Sequence, residues 1–320
     1  MPRQLCVGNG NLLAAMDDNL NIRDLYFPFV GTENHVNGHF CKLGIWVDGR
    51  FSWIDDTWNK KLSYKQNTLV TEALLRKPEL QVEVWVEDCV HHFHDVFLRK
   101  VKVRNLSKTE KEVRLFLSHD FHISETDEGI TAYYHPDLDA VIHYKKNRYI
   151  LTGDTSENQG LYEFATGVTE FGNFAGTWKD AEDGRLSNNL VAHGSVDSVI
   201  SLRTRIAPND EKEVYSWIAT GKRLEEIFKL VGLIKQVGPV NLIRQTGEYF
   251  ETWVKKGEIN FGTLPSEIVG MFKRSLLILR TQIDNRGGYN SLLRFRHISI
   301  QQGHLQLRVA QRWRLCFDGS

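Results

Sequence analysis

The chain has 320 residues, with 40 Lys and Arg against 40 Asp and Glu, so its formal net charge is zero. Hydrophobic residues make up 41% and charged residues 25%, as in a folded globular protein rather than a disordered one, and a balanced charge argues against a nucleic-acid partner, which requires a basic face. The length leaves room for two folding units, and no stretch is apolar enough for a signal peptide or a membrane span, so a cytoplasmic protein without membrane contact is expected.

Residues 1–221 read as β structure. Val82, Val84 and Val86 alternate with polar residues; Val96, Leu98, Val101 and Val103 continue the style, as do Val113, Leu115 and Leu117. The theme returns at Val199 to Ile206 and Val214 to Ile218. Turn residues separate these runs at Val47-Asp48-Gly49-Arg50, Arg104-Asn105-Leu106-Ser107 and Ala207-Pro208-Asn209-Asp210. Many short strands without intervening helices predict a mainly β fold, a large antiparallel sandwich.

Residues 222–264 change period. Leu224, Ile227, Phe228 and Val231 recur at helical spacing until Gly238-Pro239 interrupts them, since proline lacks an amide proton and clashes with the preceding turn. Val240, Ile243, Phe250, Trp253 and Val254 predict a second helix. A third is expected over 265–288. Pro265 suits its first turn, Gly287-Gly288 suits its end, and Ile268, Met271, Phe272, Leu276, Leu279 and Ile283 form its apolar stripe. Residues 289–320 differ from all that precedes. They contain no lysine, a single acid in Asp318, and no sustained period, so no packed element is expected there.

Candidate chemistry is sparse. His91, His92 and His94, with His119 and His122 further on, could ligate a metal, but the spacing is not that of a zinc site, and hydrogen-bonded sandwich residues explain them as well. Asp17-Asp18, Asp55-Asp56 and Asp127-Glu128 could be catalytic carboxylate pairs. Adjacent residues on a strand face opposite ways, which favours turns instead. Trp46, Trp53, Trp58 and Trp85 suit a sandwich core or a sugar-stacking platform. Cys6, Cys41, Cys89 and Cys316 lie far apart without a CxxC, as in a reduced protein rather than a disulfide scaffold. No catalytic, cofactor-binding or metal-ligating residue is therefore assigned.

Three segments together resemble the bacterial and archaeal branch of glycoside hydrolase family 15, the glucoamylase type. They are Arg23-Asp24-Leu25-Tyr26-Phe27-Pro28-Phe29-Val30-Gly31 with Glu33-Asn34-His35; Gly44-Ile45-Trp46-Val47-Asp48-Gly49 with Phe51-Ser52-Trp53; and Arg274-Ser275-Leu276-Leu277 running into Gln282-Ile283-Asp284-Asn285-Arg286-Gly287-Gly288. The resemblance covers residues 1 to about 288. It implies a β-sandwich (a supersandwich), linker helices, and an (α/α)6 catalytic barrel of which 265–288 would be the first helix. It also implies release of terminal glucose from α-glucans or related α-glucosides with inversion, by two glutamates and water, with no organic cofactor. Arg23, Asp24, Tyr26, Pro28, Asn34 and His35 would then pack the sandwich against the barrel.

The chain departs from the family after Gly288. Members continue into a Trp-Pro-Arg-Asp-Gly motif and later supply both glutamates, whereas this chain has no glutamate beyond Glu267. Back-translating Gly303 to Trp313 with suitable synonymous codons and slipping one base restores that motif. A frameshift after Gly288 is therefore expected, with a truncated, inactive chain whose uncovered helix 265–288 promotes self-association. The alternative is a non-catalytic carbohydrate-binding or structural β-sandwich.

Overall fold

Extended segments pair into antiparallel sheets in the computed structural model of the protein, which describes residues 4–126, 128–156, 160–169, 175–256 and 259–286. β1 (Leu5–Gly8), β2 (Leu13–Met16) and β3 (Ile22–Tyr26) form a three-stranded sheet. β4 (Lys42–Val47), β5 (Arg50–Trp53), β6 (Asn59–Tyr64), β7 (Thr71–Lys77), β8 (Val82–Val90), β9 (Val96–Asn105) and β10 (Lys111–Asp120) follow. Next come β11 (Ile130–His135), β12 (Ala140–Lys145), β13 (Arg148–Ser156), β14 (Glu163–Val168), β15 (Val191–Gly194), β16 (Val196–Ile206) and β17 (Glu211–Gly221). The larger sheet runs β15-β11-β12-β13-β17-β9-β8-β7-β6, and the smaller runs β14-β16-β10-β4-β5.

Period-two patterning sets which side chains meet between these sheets. Val82, Val84 and Val86 on β8 join Val101 and Val103 on β9, Val113 and Leu115 on β10, and Leu202 and Ile206 on β16 in one core. Asp48 and Gly49 both have positive φ (47° and 89°), as a two-residue hairpin turn requires, and they join β4 to β5 with Val47 opposite Arg50. The tryptophans divide between core and flank. Trp58 is buried in the main core, whereas Trp46 and Trp53 pack with Phe51, Phe116 and Trp178 on the other side of the smaller sheet.

Three helices complete the described chain: α1 (Leu224–Val237), α2 (Pro239–Lys256) and α3 (Ser266–Thr281). Ile227, Val231 and Ile234 of α1 and Leu242 and Ile243 of α2 cover Leu98, Leu151 and Trp217 on the outer face of the larger sheet. The helix expected over 265–288 ends earlier, at Thr281. Its buried face also differs from the expected stripe. Leu277 is enclosed by Leu69, Phe250 and Val254, while Ile268, Met271 and Ile283 are exposed. The early stop has a local cause: Asp284 and Asn285 are held by hydrogen bonds to two loops of the sandwich, which draws the chain off the helical path. None of the described helices is long and apolar enough to cross a membrane. The expectation for 289–320, and with it Cys316, lies outside the described residues, as does Asp127.

Candidate functional site

Two of the three family-like segments meet at one end of the sandwich. Val30 donates its N–H to Asp284 Oδ2 at 3.3 Å across 254 residues of sequence. Asp284, itself buried, also accepts the Arg286 N–H at 2.7 Å through Oδ1. The Arg286 guanidinium lies 4.5 Å from the Phe29 ring centroid, and Lys222 approaches the same ring at 5.5 Å. Asn285 closes the junction on the β1–β2 turn: its N–H donates to Gly10 O at 3.0 Å and its Nδ2 to Asn9 O at 3.2 Å. A Cβ on Gly10 would stand 2.3 Å from Asn285 Oδ1, and Gly10 has φ +93°, so both space and backbone demand glycine. Asn9 carries the contact inward by donating Nδ2 to His91 O and His94 O, both at 3.1 Å.

α3 reaches this place on a second anchor. Arg274 donates to Thr68 O and, at 3.0 Å, to Lys65 O, while its guanidinium lies 4.2 Å above the Tyr64 ring. Tyr64 in turn donates its hydroxyl to Cys6 O at 3.0 Å on β1.

The residues singled out for inter-domain packing mostly shape the loop that makes the junction. Asn34 donates to Asp24 Oδ1 at 2.9 Å and accepts the Leu25 N–H at 3.0 Å. His35 is fully buried; its Nε2 lies 2.7 Å from Phe27 O and its Nδ1 accepts the Ser124 N–H, which specifies the Nε2-protonated tautomer. Burial lowers the His35 pKa, consistent with a neutral ring. Tyr26 and Pro28 are buried, and the Arg23 guanidinium lies over Phe40. Contact with 284–286 comes instead from Phe29 and Val30, inside the same motif but not singled out. Their separation from the partner segment left no local signal.

In two of the three carboxylate pairs the first aspartate holds a turn, as the sequence favoured. Asp17 Oδ1 accepts the N–H groups of Asn19 and Asn21, and Asp55 Oδ1 accepts that of Thr57. His91 Nδ1 accepts the N–H groups of Phe93 and His94, and burial pushes its pKa down to about 4, so it serves as a neutral loop-capping ring. His92 stacks on Tyr249. Among the described residues, the group with metal-ligand spacing is instead His39, Asp120 and His122. Elsewhere, Tyr133, Tyr134, Tyr144 and Tyr149 line an open cleft of about 810 Å³ with Leu190 and Val191, and Tyr144 and Tyr149 stack at 5.6 Å.

No family model matches the sequence. The chain is 24% identical over 294 residues to an uncharacterized glycosyl hydrolase of Methanocaldococcus jannaschii, an alignment covering 88% of this chain and 45% of the relative. A bacterial glucoamylase solved in complex with acarbose shares the fold with a TM-score of 0.65 and 15% identity, over 90% of this chain and 42% of that one. The chain thus spans less than half the length of both, is related to a glycosyl hydrolase, and folds like part of a glucoamylase.

Proposed function

We propose that this chain is the sandwich half of an inverting α-glucosidase of glycoside hydrolase family 15, acting in its parent protein on the terminal glucose of α-glucans or related α-glucosides, and that the chain alone is inactive. The observation that carries this reading is the junction. The first and third family-like segments, remote in sequence, close on each other through Val30–Asp284, and Asn285 ties the third to the β1–β2 turn at Gly10, within a glucoamylase-like fold. Residues 282–286, at the end of the first barrel helix, would hold that helix against the sandwich, and the loop around Phe29 would set its angle. Inversion needs a general acid and a general base far enough apart to seat a water beside the sugar, and the sequence offers no glutamate beyond Glu267. On this reading residues 289–320 are out-of-frame translation of the DNA for the Trp-Pro-Arg-Asp-Gly motif, which resequencing that DNA tests.

The purified 320-residue chain is expected to release no glucose from maltose, maltotriose or trehalose. Each missing acid or base group is worth about 100- to 10,000-fold. Turnover that survives a contamination control overturns the inactivity. The second reading, a non-catalytic carbohydrate-binding module, draws on the tyrosine-lined cleft, whose stacked rings offer flat apolar faces. Retention of the chain on an amylose column, abolished by Tyr144→Ala with Tyr149→Ala, favours that module; elution with the void volume favours the glucosidase half.

A further inference from the structure

Away from the junction, three side chains converge at the end of β10. Asp120 is the last residue of that strand, His122 follows two residues later, and His39 arrives from the turn closed by His39 N–H to Val36 O. His39 Nδ1 lies 2.7 Å from Asp120 Oδ2, and His122 Nε2 lies 3.8 Å from Asp120 Oδ1. The two imidazoles stack with centroids 3.5 Å apart and planes 28° from parallel. One donor atom from each of the three residues lies within 4.8 Å of the others.

The backbone holds this arrangement. His122 N–H donates to His35 O at 2.7 Å, which ties it to the stretch that carries His39. Phe121, between Asp120 and His122, is buried in the main core. Cys41, two residues after His39, pairs with Ile22 in both directions. The donors are thus set by three separate parts of the fold rather than by one flexible loop.

A second feature points to a ligand. Asp120 Oδ1 is shielded from solvent and has no hydrogen-bond partner, although buried carboxylate oxygens nearly always have one. It faces His122 Nε2 at a distance too long for a hydrogen bond and suited to a shared ion. Tetrahedral zinc, with bonds of about 2.0–2.1 Å to nitrogen and oxygen, sets its donors about 3.4 Å apart. The observed separations of 2.7 and 3.8 Å straddle that value. Two imidazoles and a carboxylate suit borderline divalent ions rather than calcium or magnesium. The His39 side chain is 34% exposed, so water can complete the coordination from outside.

We propose that His39, Asp120 and His122 bind a divalent transition-metal ion, zinc foremost, and that the ion clamps the 36–41 turn to the end of β10. The test uses the full chain, stripped with a chelator and dialysed against micromolar zinc sulfate. Elemental analysis of the protein is expected to give one zinc per chain. Affinity should fall at least tenfold in His39→Ala, Asp120→Asn and His122→Ala, and stay unchanged in His91→Ala with His94→Ala. A hundredfold excess over the dissociation constant should raise the melting temperature by about 5 to 10 °C. If a variant fails to fold, the imidazole 15N shifts of the unsubstituted protein decide. His39 Nδ1 and His122 Nε2 should move on zinc addition. No binding up to millimolar zinc, undiminished affinity in folded His39→Ala and Asp120→Asn, or shifts confined to other histidines would overturn the proposal and leave a plain histidine–aspartate ion pair.

Discussion

The apolar pattern of β8 and β9 is broken at one rung by a charge pair, and its removal should be costly. Asp88 and Arg99 sit directly opposite each other on the face that carries Val84, Val86 and Val101. Arg99 Nε donates to Asp88 Oδ1 at 2.7 Å and Nη2 to Oδ2 at 2.9 Å, with side chains 3% and 0% exposed. Nη2 also donates to Leu20 O at 3.0 Å, which binds the β2–β3 turn to the larger sheet. Asp88→Ala would leave a desolvated guanidinium with one carbonyl partner, and breaking a buried pair in this way costs about 3–5 kcal/mol. In a protein of this size each kcal/mol is worth about 2–4 °C, so the melting temperature should fall by about 6 to 20 °C. Asp88→Leu combined with Arg99→Met replaces both charges with apolar groups, and should lose less than either residue replaced singly by Ala. Thermal unfolding followed by tryptophan fluorescence measures all of these. A drop below about 3 °C for Asp88→Ala, or a double variant as unstable as the singles, would refute the reasoning.

Asp154 is fully buried on β13 with neither carboxylate oxygen hydrogen-bonded, and burial raises its pKa well above the usual range. Because the folded state then binds its proton more tightly than the unfolded chain, stability should fall as pH rises from about 4 through the folded pKa. Asp154→Asn should flatten that slope and gain stability at neutral pH, as denaturation across pH 4 to 8 would record. Gly10→Ala forces both a left-handed backbone and a clash with Asn285, and should cost about 1–3 kcal/mol while speeding amide exchange at Val30 and Asn285. Met271→Lys with Ile268→Glu should reduce self-association in light scattering, since both side chains are exposed on α3; unchanged scattering would count against an apolar contact there.

The strands were legible because alternation is a local signal, as at Val82 to Val86, and the hairpin at Asp48-Gly49 was legible because few residues tolerate positive φ. Gly238-Pro239 marked the division between α1 and α2 for an equally local reason. The order of strands was not legible, since β13 pairs with β17 across 14 to 16 and nothing near either strand encodes it. The buried face of α3 is not legible, because several apolar residues share helical spacing and packing against Phe250 and Val254 selects Leu277 among them. Its end is not legible either, because long-range bonds from Asp284 and Asn285 override the glycine signal at 287. His39 and Asp120, 81 residues apart, likewise carry no shared local mark.

The central claim is tested most directly by the anomer of the first glucose released. The gene would be expressed with one base removed between the codons of Gly288 and Gly303, so that the downstream DNA is read in the other frame, and the product would be mixed with methyl α-maltoside, whose leaving group is methyl α-glucoside rather than free glucose, and followed by proton NMR. β-Glucose should appear ahead of its equilibration with the α form. Initial release of α-glucose, or no release by a folded product, would contradict it.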